Sequence, residues 1–180
     1  MRLHILSDLH IEFGPFRPNP VEADVIVLAG DVHVGTRGFR WIVEHYSGKP
    51  VIYVLGNHEF YGENIPILTS ESKDLAKGSN VHVLENDRLE IDGVVFLGAT
   101  LWTDFRLYGD VILAEAAAAT TMMDFRKIRF THQYHRFRPA DARLLHAQST
   151  TWLKKQIEDV RGRKFVVVTH HAPSPRSISE

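Results

Sequence analysis

At 180 residues, with 44% hydrophobic and 24% charged residues, the chain has the composition of one ordinary globular domain that can bury a sizeable core. Its formal net charge of −1 supplies no global field that would favour nucleic acid or a membrane surface. It has no cysteine, which excludes disulfides and thiolate metal sites and suits a reducing cytosol, so the expected location is cytoplasmic.

In chain order, Leu3–Leu6, Val25–Ala29 and residues 51–55 are short runs of Val, Ile and Leu. Such continuous runs predict strands buried on both faces. The first strand starts at the N-terminus without the basic-then-apolar build of a signal peptide. No apolar stretch approaches the ~20 residues that span a bilayer, so no membrane contact is expected. Residues 35–47 carry Phe39, Ile42, Val43 and Tyr46 at helical spacing, and 65–77 predicts a helix that tolerates Pro66 in its first turn. Strands are predicted at 81–85, 89–91 and 94–97, with Asp92-Gly93 as a hairpin turn, which favours antiparallel pairing there.

The Ala-rich residues 107–123 predict a helix, and 138–160 a longer one with Leu145, Trp152, Leu153, Ile157 and Val160 as its apolar stripe. Residues 165–169 return as a strand. The order βαβαβ, meander, helices and returning strand gives an α/β (α+β) fold, one domain over 1–180, with no repeat or linker.

Four segments follow the buried runs: Ser7-Asp8-Leu9-His10, Gly30-Asp31, Gly56-Asn57-His58-Glu59 and Thr169-His170-His171. They gather polar groups at the carboxyl ends of strands, where open α/β sheets bind ligands. Asp8, His10, Asp31, Asn57 and His170 offer carboxylate, amide and imidazole donors, a mixture suited to two close divalent cations. Asp8 and His10 are two apart, so an extended segment puts them on one face. Gly30 lets the backbone pass close, and the two oxygens of Asp31 can bridge ions roughly 3.5–4 Å apart.

Asn57 and His170 then serve the second ion. Each dipeptide alone is an ordinary turn, but the ordered set of four carries the metal reading. Such a centre activates water against a phosphate ester. His58 is expected to point away from the ions and to act as the catalytic acid, oriented by Glu59 or a nearby acid. Asn57, His58 and His171 are candidates for contact with substrate phosphate. His33 either lines the pocket or sits in a surface loop, and His4 reads as a core residue.

Residues 126–143 hold Arg126, Lys127, Arg129, Arg136, Arg138 and Arg143 with His132 and His135, interleaved with Phe125, Phe130, Tyr134 and Phe137. Arginine suits forked phosphate contacts, and aromatic rings suit stacking. The segment reads as part of a cap insert at about 105–150, with Arg126 as a substrate contact, or as a solvated connection whose aromatics join the core.

The four segments resemble the calcineurin-like metallophosphoesterase family, whose pattern runs D-x-H, G-D, G-N-H-[D/E], a late histidine and G-H-x-H. The resemblance implies a β-sandwich flanked by helices, a dinuclear centre of manganese, iron or zinc, and hydrolysis of phosphomonoesters or phosphodiesters. By that match Asp8, His10 and Asp31 hold the first ion, and Asp31, Asn57 and His170 the second. No G-H-x-H follows His171 before Glu180. The expectation is therefore a C-terminally truncated domain, incomplete at that sheet edge, with each ion one ligand short and activity low. The expected substrate is a small phosphorylated molecule such as a nucleotide. A nuclease and a catalytically inactive interaction scaffold are the alternatives.

Overall fold

The computed structural model describes residues 1–131 and 135–177, so His132 and Tyr134 of the basic segment lie outside the described residues. Strands β1 (Leu3–Leu6), β2 (Val25–Ala29), β3 (Val51–Val54) and β4 (Val81–Val83) form a parallel sheet in that order. Helices α1 (Gly38–Tyr46) and α2 (Ile65–Ala76) supply two of its crossovers. A second sheet orders β5 (Asp87–Ile91), β6 (Val94–Ala99) and β9 (Lys164–Thr169). Between β6 and β9 the chain forms α3 (Val111–Thr121), α4 (Asp124–Lys127), the small pair β7 (Arg129–Phe130) and β8 (His135–Arg136), and α5 (Pro139–Asp159).

The continuous apolar runs exist because both faces of the first sheet are covered. Val25, Val27, Ile52 and Val54 face Phe96 and Val168 of the second sheet. On the other face, Ile26, Leu28, Val51 and Tyr53 pack against Phe39, Ile42 and Leu68 from the helices. Across the outer face of the second sheet, Val95 and Leu97 meet Leu153 and Val160. The result is helix, sheet, sheet, helix. Each large side chain taken fully from water contributes about 1.5–3 kcal/mol, so these layers, and not local propensity, hold the strands in place.

The turn at Asp92 and Gly93 has φ of 48° and 76°, as a tight hairpin needs, and joins β5 to β6 antiparallel. The strand at 81–83 departs from expectation. It leaves the meander and pairs parallel with β3, because the intervening α2 makes a β-α-β crossover. The helix expected from residue 107 starts at Val111, where the Asp110 carboxylate accepts from the Leu113 N–H at 3.0 Å.

Within 105–150, several described side chains join the helix-side core. Phe125, Ile128, Phe137 and Ala142 are buried with Phe60 and Trp102. The interleaved Phe125 and Phe137 thus belong to the core and are not free to stack on a ligand. No helix among the described residues is long and apolar enough to cross a membrane.

Candidate metal centre

The carboxyl ends of β1, β2, β3 and β9 converge on one rim. β6 and β9 run parallel with Ala99 opposite Thr169, which delivers His170 to the edge where β2 ends. The chain turns sharply there. Asp8, His10 and Asp31 all have positive φ, at 54°, 45° and 56°. Three non-glycine residues in this disfavoured region cost roughly 1 kcal/mol or more each, and such strain gathers at functional sites.

Asp8 and His10 are therefore not brought together by an extended segment, as their spacing suggested. Left-handed turns do it, pinned by Asp8 N–H to Gly30 O at 3.1 Å and His10 N–H to Asp31 O at 2.9 Å. Two glycines make the close approach possible. A Cβ on Gly30 would run into the His170 ring, and one on Gly56 into the Asp31 carboxylate.

Asp31 sits at the middle, 3% exposed. Its Oδ1 lies 3.5 Å from His170 Nε2 and its Oδ2 lies 3.7 Å from His10 Nε2. The two oxygens are thus divided between two imidazoles. Asp8 Oδ1 approaches His10 Nε2 at 3.9 Å, and Asp8 also forms a tight donor group with Asp31 and His170.

His170 donates from Nδ1 to Ala29 O at 2.9 Å, so in the neutral ring Nε2 carries the lone pair. That nitrogen faces Asn57 Oδ1 at 3.0 Å. The Asn57 amide is turned this way because its Nδ2 donates to Asp124 Oδ1 at 3.0 Å. With that ring neutral, imidazole nitrogen, amide oxygen and carboxylate oxygen converge as three acceptors. A divalent cation satisfies all three. The donor set fits the metals that the sequence implied, and the partners of His170 and Asn57 are of the outer-shell kind that orients ligands.

Glu59 does not orient His58. It is wholly buried and clamps the two ligand loops, accepting from Val32 N–H at 2.7 Å, Gly56 N–H at 2.7 Å, Asp31 N–H at 3.0 Å and Tyr53 O–H at 2.8 Å. Burial and the nearby Asp31 carboxylate hold its carboxyl above the ordinary range, and the Tyr53, Val32 and Gly56 donors offset only part of this. The acid beside His58 is Glu12, whose Oε1 is 3.1 Å from His58 Nδ1 and 3.3 Å from His10 Nδ1. Burial raises the Glu12 carboxyl, but hydrogen bonds from its own backbone, His58 and His10 outweigh it and hold the group below the usual value.

The His58 ring also stays in the site instead of pointing away. It packs edge-on against His10 with centroids 4.4 Å apart, and lies within ligand reach of His10 and Asp31. Tyr61 stacks on its face at 4.3 Å.

His171 turns away from the centre. Its Nδ1 meets Thr100 O at 3.1 Å, its ring stacks on Trp102, and burial with help from His170 pushes it down to about 4. His33 belongs to neither donor group, and its Nδ1 is buried without a hydrogen-bond partner. His4 packs edge-on against Tyr46. Arg126 lies outside the donor cluster, on the wall of a neighbouring cavity that His58 also lines. Sequence reasoning missed Glu12, Asp124 and Tyr61. Glu12 had a signal, as it continues the Asp8-x-His10 alternation; Asp124, 67 residues from Asn57, had none.

The family model for calcineurin-like phosphoesterase matches residues 1–180. An uncharacterized protein, L509, of Acanthamoeba polyphaga mimivirus is 22% identical over 201 residues, which takes in 95% of this chain and 68% of the viral protein. The chain belongs to the calcineurin-like phosphoesterase family.

Proposed function

We propose that this member of the calcineurin-like phosphoesterase family hydrolyses phosphate esters of small molecules at a pair of divalent ions. The observation that carries the reading is the division of the Asp31 oxygens, one toward His170 and one toward His10. Asp8 and His10 with Asp31 would hold one ion, and Asn57 and His170 with Asp31 the other. Two such ions, when bound, supply a water acidic enough to attack at neutral pH and draw off charge from the phosphoryl oxygens.

The chain's own groups then do the positioning. Asp124 keeps the Asn57 oxygen turned inward, and Glu59 fixes the backbone on both sides of Asp31. Glu12 holds the Nδ1 side of His58. That leaves Nε2 to deliver a proton to the departing oxygen, with the Glu12 carboxylate balancing the ring's charge.

Chromogenic p-nitrophenyl phosphate and bis-p-nitrophenyl phosphate, each with added Mn²⁺ and with or without chelator, test the proposal. Turnover of at least one ester, lost on chelation and in Asp31→Asn, is the expected result. Turnover of neither by metal-loaded protein would instead favour a binding scaffold.

A further inference from the structure

Beside His58 opens a cavity of about 690 Å³, within the usual range for small-molecule sites. One wall is cationic. Arg126, Lys127 and Arg129 fall within four residues, and all three line it. Among the described residues none has a carboxylate partner; Arg126 donates to Thr120 O, and Arg129 to Arg126 O and Ile128 O at 3.3 and 3.2 Å. Lys127 lies over the Tyr61 ring, 4.9 Å from its centroid. Among the described residues the only acid on the lining is Glu12, and its charge is already shared by His10 and His58.

The wall is also fixed in place. Gly62 N–H donates to Lys127 O at 3.1 Å and Arg129 N–H to Glu63 O at 2.8 Å, which ties the cations to the loop that follows His58. At the same cavity Phe13 stands 78% exposed, with its ring 6.2 Å from His58. Its ring also lies 5.8 Å from His10, yet most of the side chain stays open beside the cationic wall. The Tyr61 ring is taken up by His58 and Lys127, so Phe13 is the aromatic surface left for a ligand.

We propose that this cavity receives the remainder of the substrate and selects phosphate esters of a planar aromatic group that bear a second phosphate. The planar group stacks on Phe13, and the second phosphate is held by Arg126 and Arg129, whose planar forks match its oxygens. A nucleoside carrying two phosphates has this chemistry. The inference rests on the phosphoesterase reading of the centre, since it assigns the scissile phosphate to Asp31 and His58. A small ligand is favoured over nucleic acid because the chain is nearly neutral overall and these cations occupy a single wall.

Calorimetric titration of chelator-treated protein reads the cavity apart from the chemistry. Adenosine 3′,5′-bisphosphate is expected to bind roughly tenfold or more tightly than adenosine 5′-monophosphate, and the latter roughly tenfold more tightly than ribose 5-phosphate. The double variant Arg126→Ala/Arg129→Ala removes the first preference. Phe13→Ala, at a position 78% exposed, removes the second.

Equal affinity for all three ligands, or preferences that survive both variants, overturns the inference. So does a single-stranded oligonucleotide that binds more tightly than the bisphosphate with the same arginine dependence. The same ligands are then incubated with Mn²⁺-loaded protein. If none is turned over while the binding preferences hold, the cavity assignment stands and the hydrolase reading fails.

Discussion

On one side of Asp31, the Glu59 carboxylate is wholly buried and gathers three backbone N–H groups and the Tyr53 hydroxyl at 3.0 Å or closer. On the other side, among the described residues Glu12 hydrogen-bonds only two imidazoles beyond its own backbone, and its Oε2 has no partner. Both are glutamates beside Asp31, yet their contacts differ. Glu59 fixes the loop backbone that places Asp31, whereas Glu12 holds the His10 and His58 rings. Of the two, only Glu59 belongs to the Gly56-Asn57-His58-Glu59 segment, and its contacts are to backbone and Tyr53, not to an imidazole.

The largest expected effect falls on the residue between them. Asp31→Asn removes the anion that two donor groups share, and turnover should drop at least about 10³-fold, read as kcat/KM on p-nitrophenyl phosphate. Glu59→Gln and Glu12→Gln should then split the two halves of the comparison. Glu59→Gln sets amide hydrogens against buried N–H donors, which should cost about 3 kcal/mol and lower Tm by roughly 6–12 °C in a thermal melt. Glu12→Gln should leave Tm within a few degrees while kcat falls roughly 10- to 100-fold. Equal Tm losses in both variants would erase the distinction.

A smaller effect is expected at Asp124, which acts through Asn57. Asp124→Asn frees the amide to turn its NH₂ inward, with roughly tenfold weaker metal affinity and little change in fold. Tyr61→Phe, which removes the hydroxyl that also donates to Asp124 at 2.8 Å, should do less.

The smallest effect concerns a third glutamate, half-buried and away from the centre. Glu85 accepts from the Thr100 N–H at 2.8 Å and hydroxyl at 2.7 Å, and burial raises its carboxyl above the model-compound value of 4.5. The folded state then binds more protons than the unfolded one above that pH. Stability should fall as pH rises through 4.5 toward the raised value, and Glu85→Gln should flatten that slope in denaturant titrations.

The strands and the ordered ligand motifs were legible because both obey local rules. Buried parallel strands are continuous apolar runs, and turn residues cluster where they end. The parallel pairing of β4 was not legible, because Val81–Val83 looks the same in either sheet until α2 has packed. The left-handed backbone at Asp8 and His10 was equally hidden, since an Asp-x-His spacing does not reveal how the chain turns. Phe125 and Phe137 stayed between two readings for a related reason: interleaved charges suggest exposure, while burial is decided by contact with Trp102 and Phe130. Asp124 shows the remaining limit. Nothing near it in sequence says that it will orient an amide far back along the chain.

Electron paramagnetic resonance of the protein loaded with Mn²⁺ tests the shared role of Asp31 most directly. Two ions per chain with the multiline signal of an exchange-coupled pair, replaced by uncoupled or single-ion spectra in Asp31→Asn, is the predicted result. A single tightly bound ion, or two uncoupled ions in the unaltered protein, would contradict it.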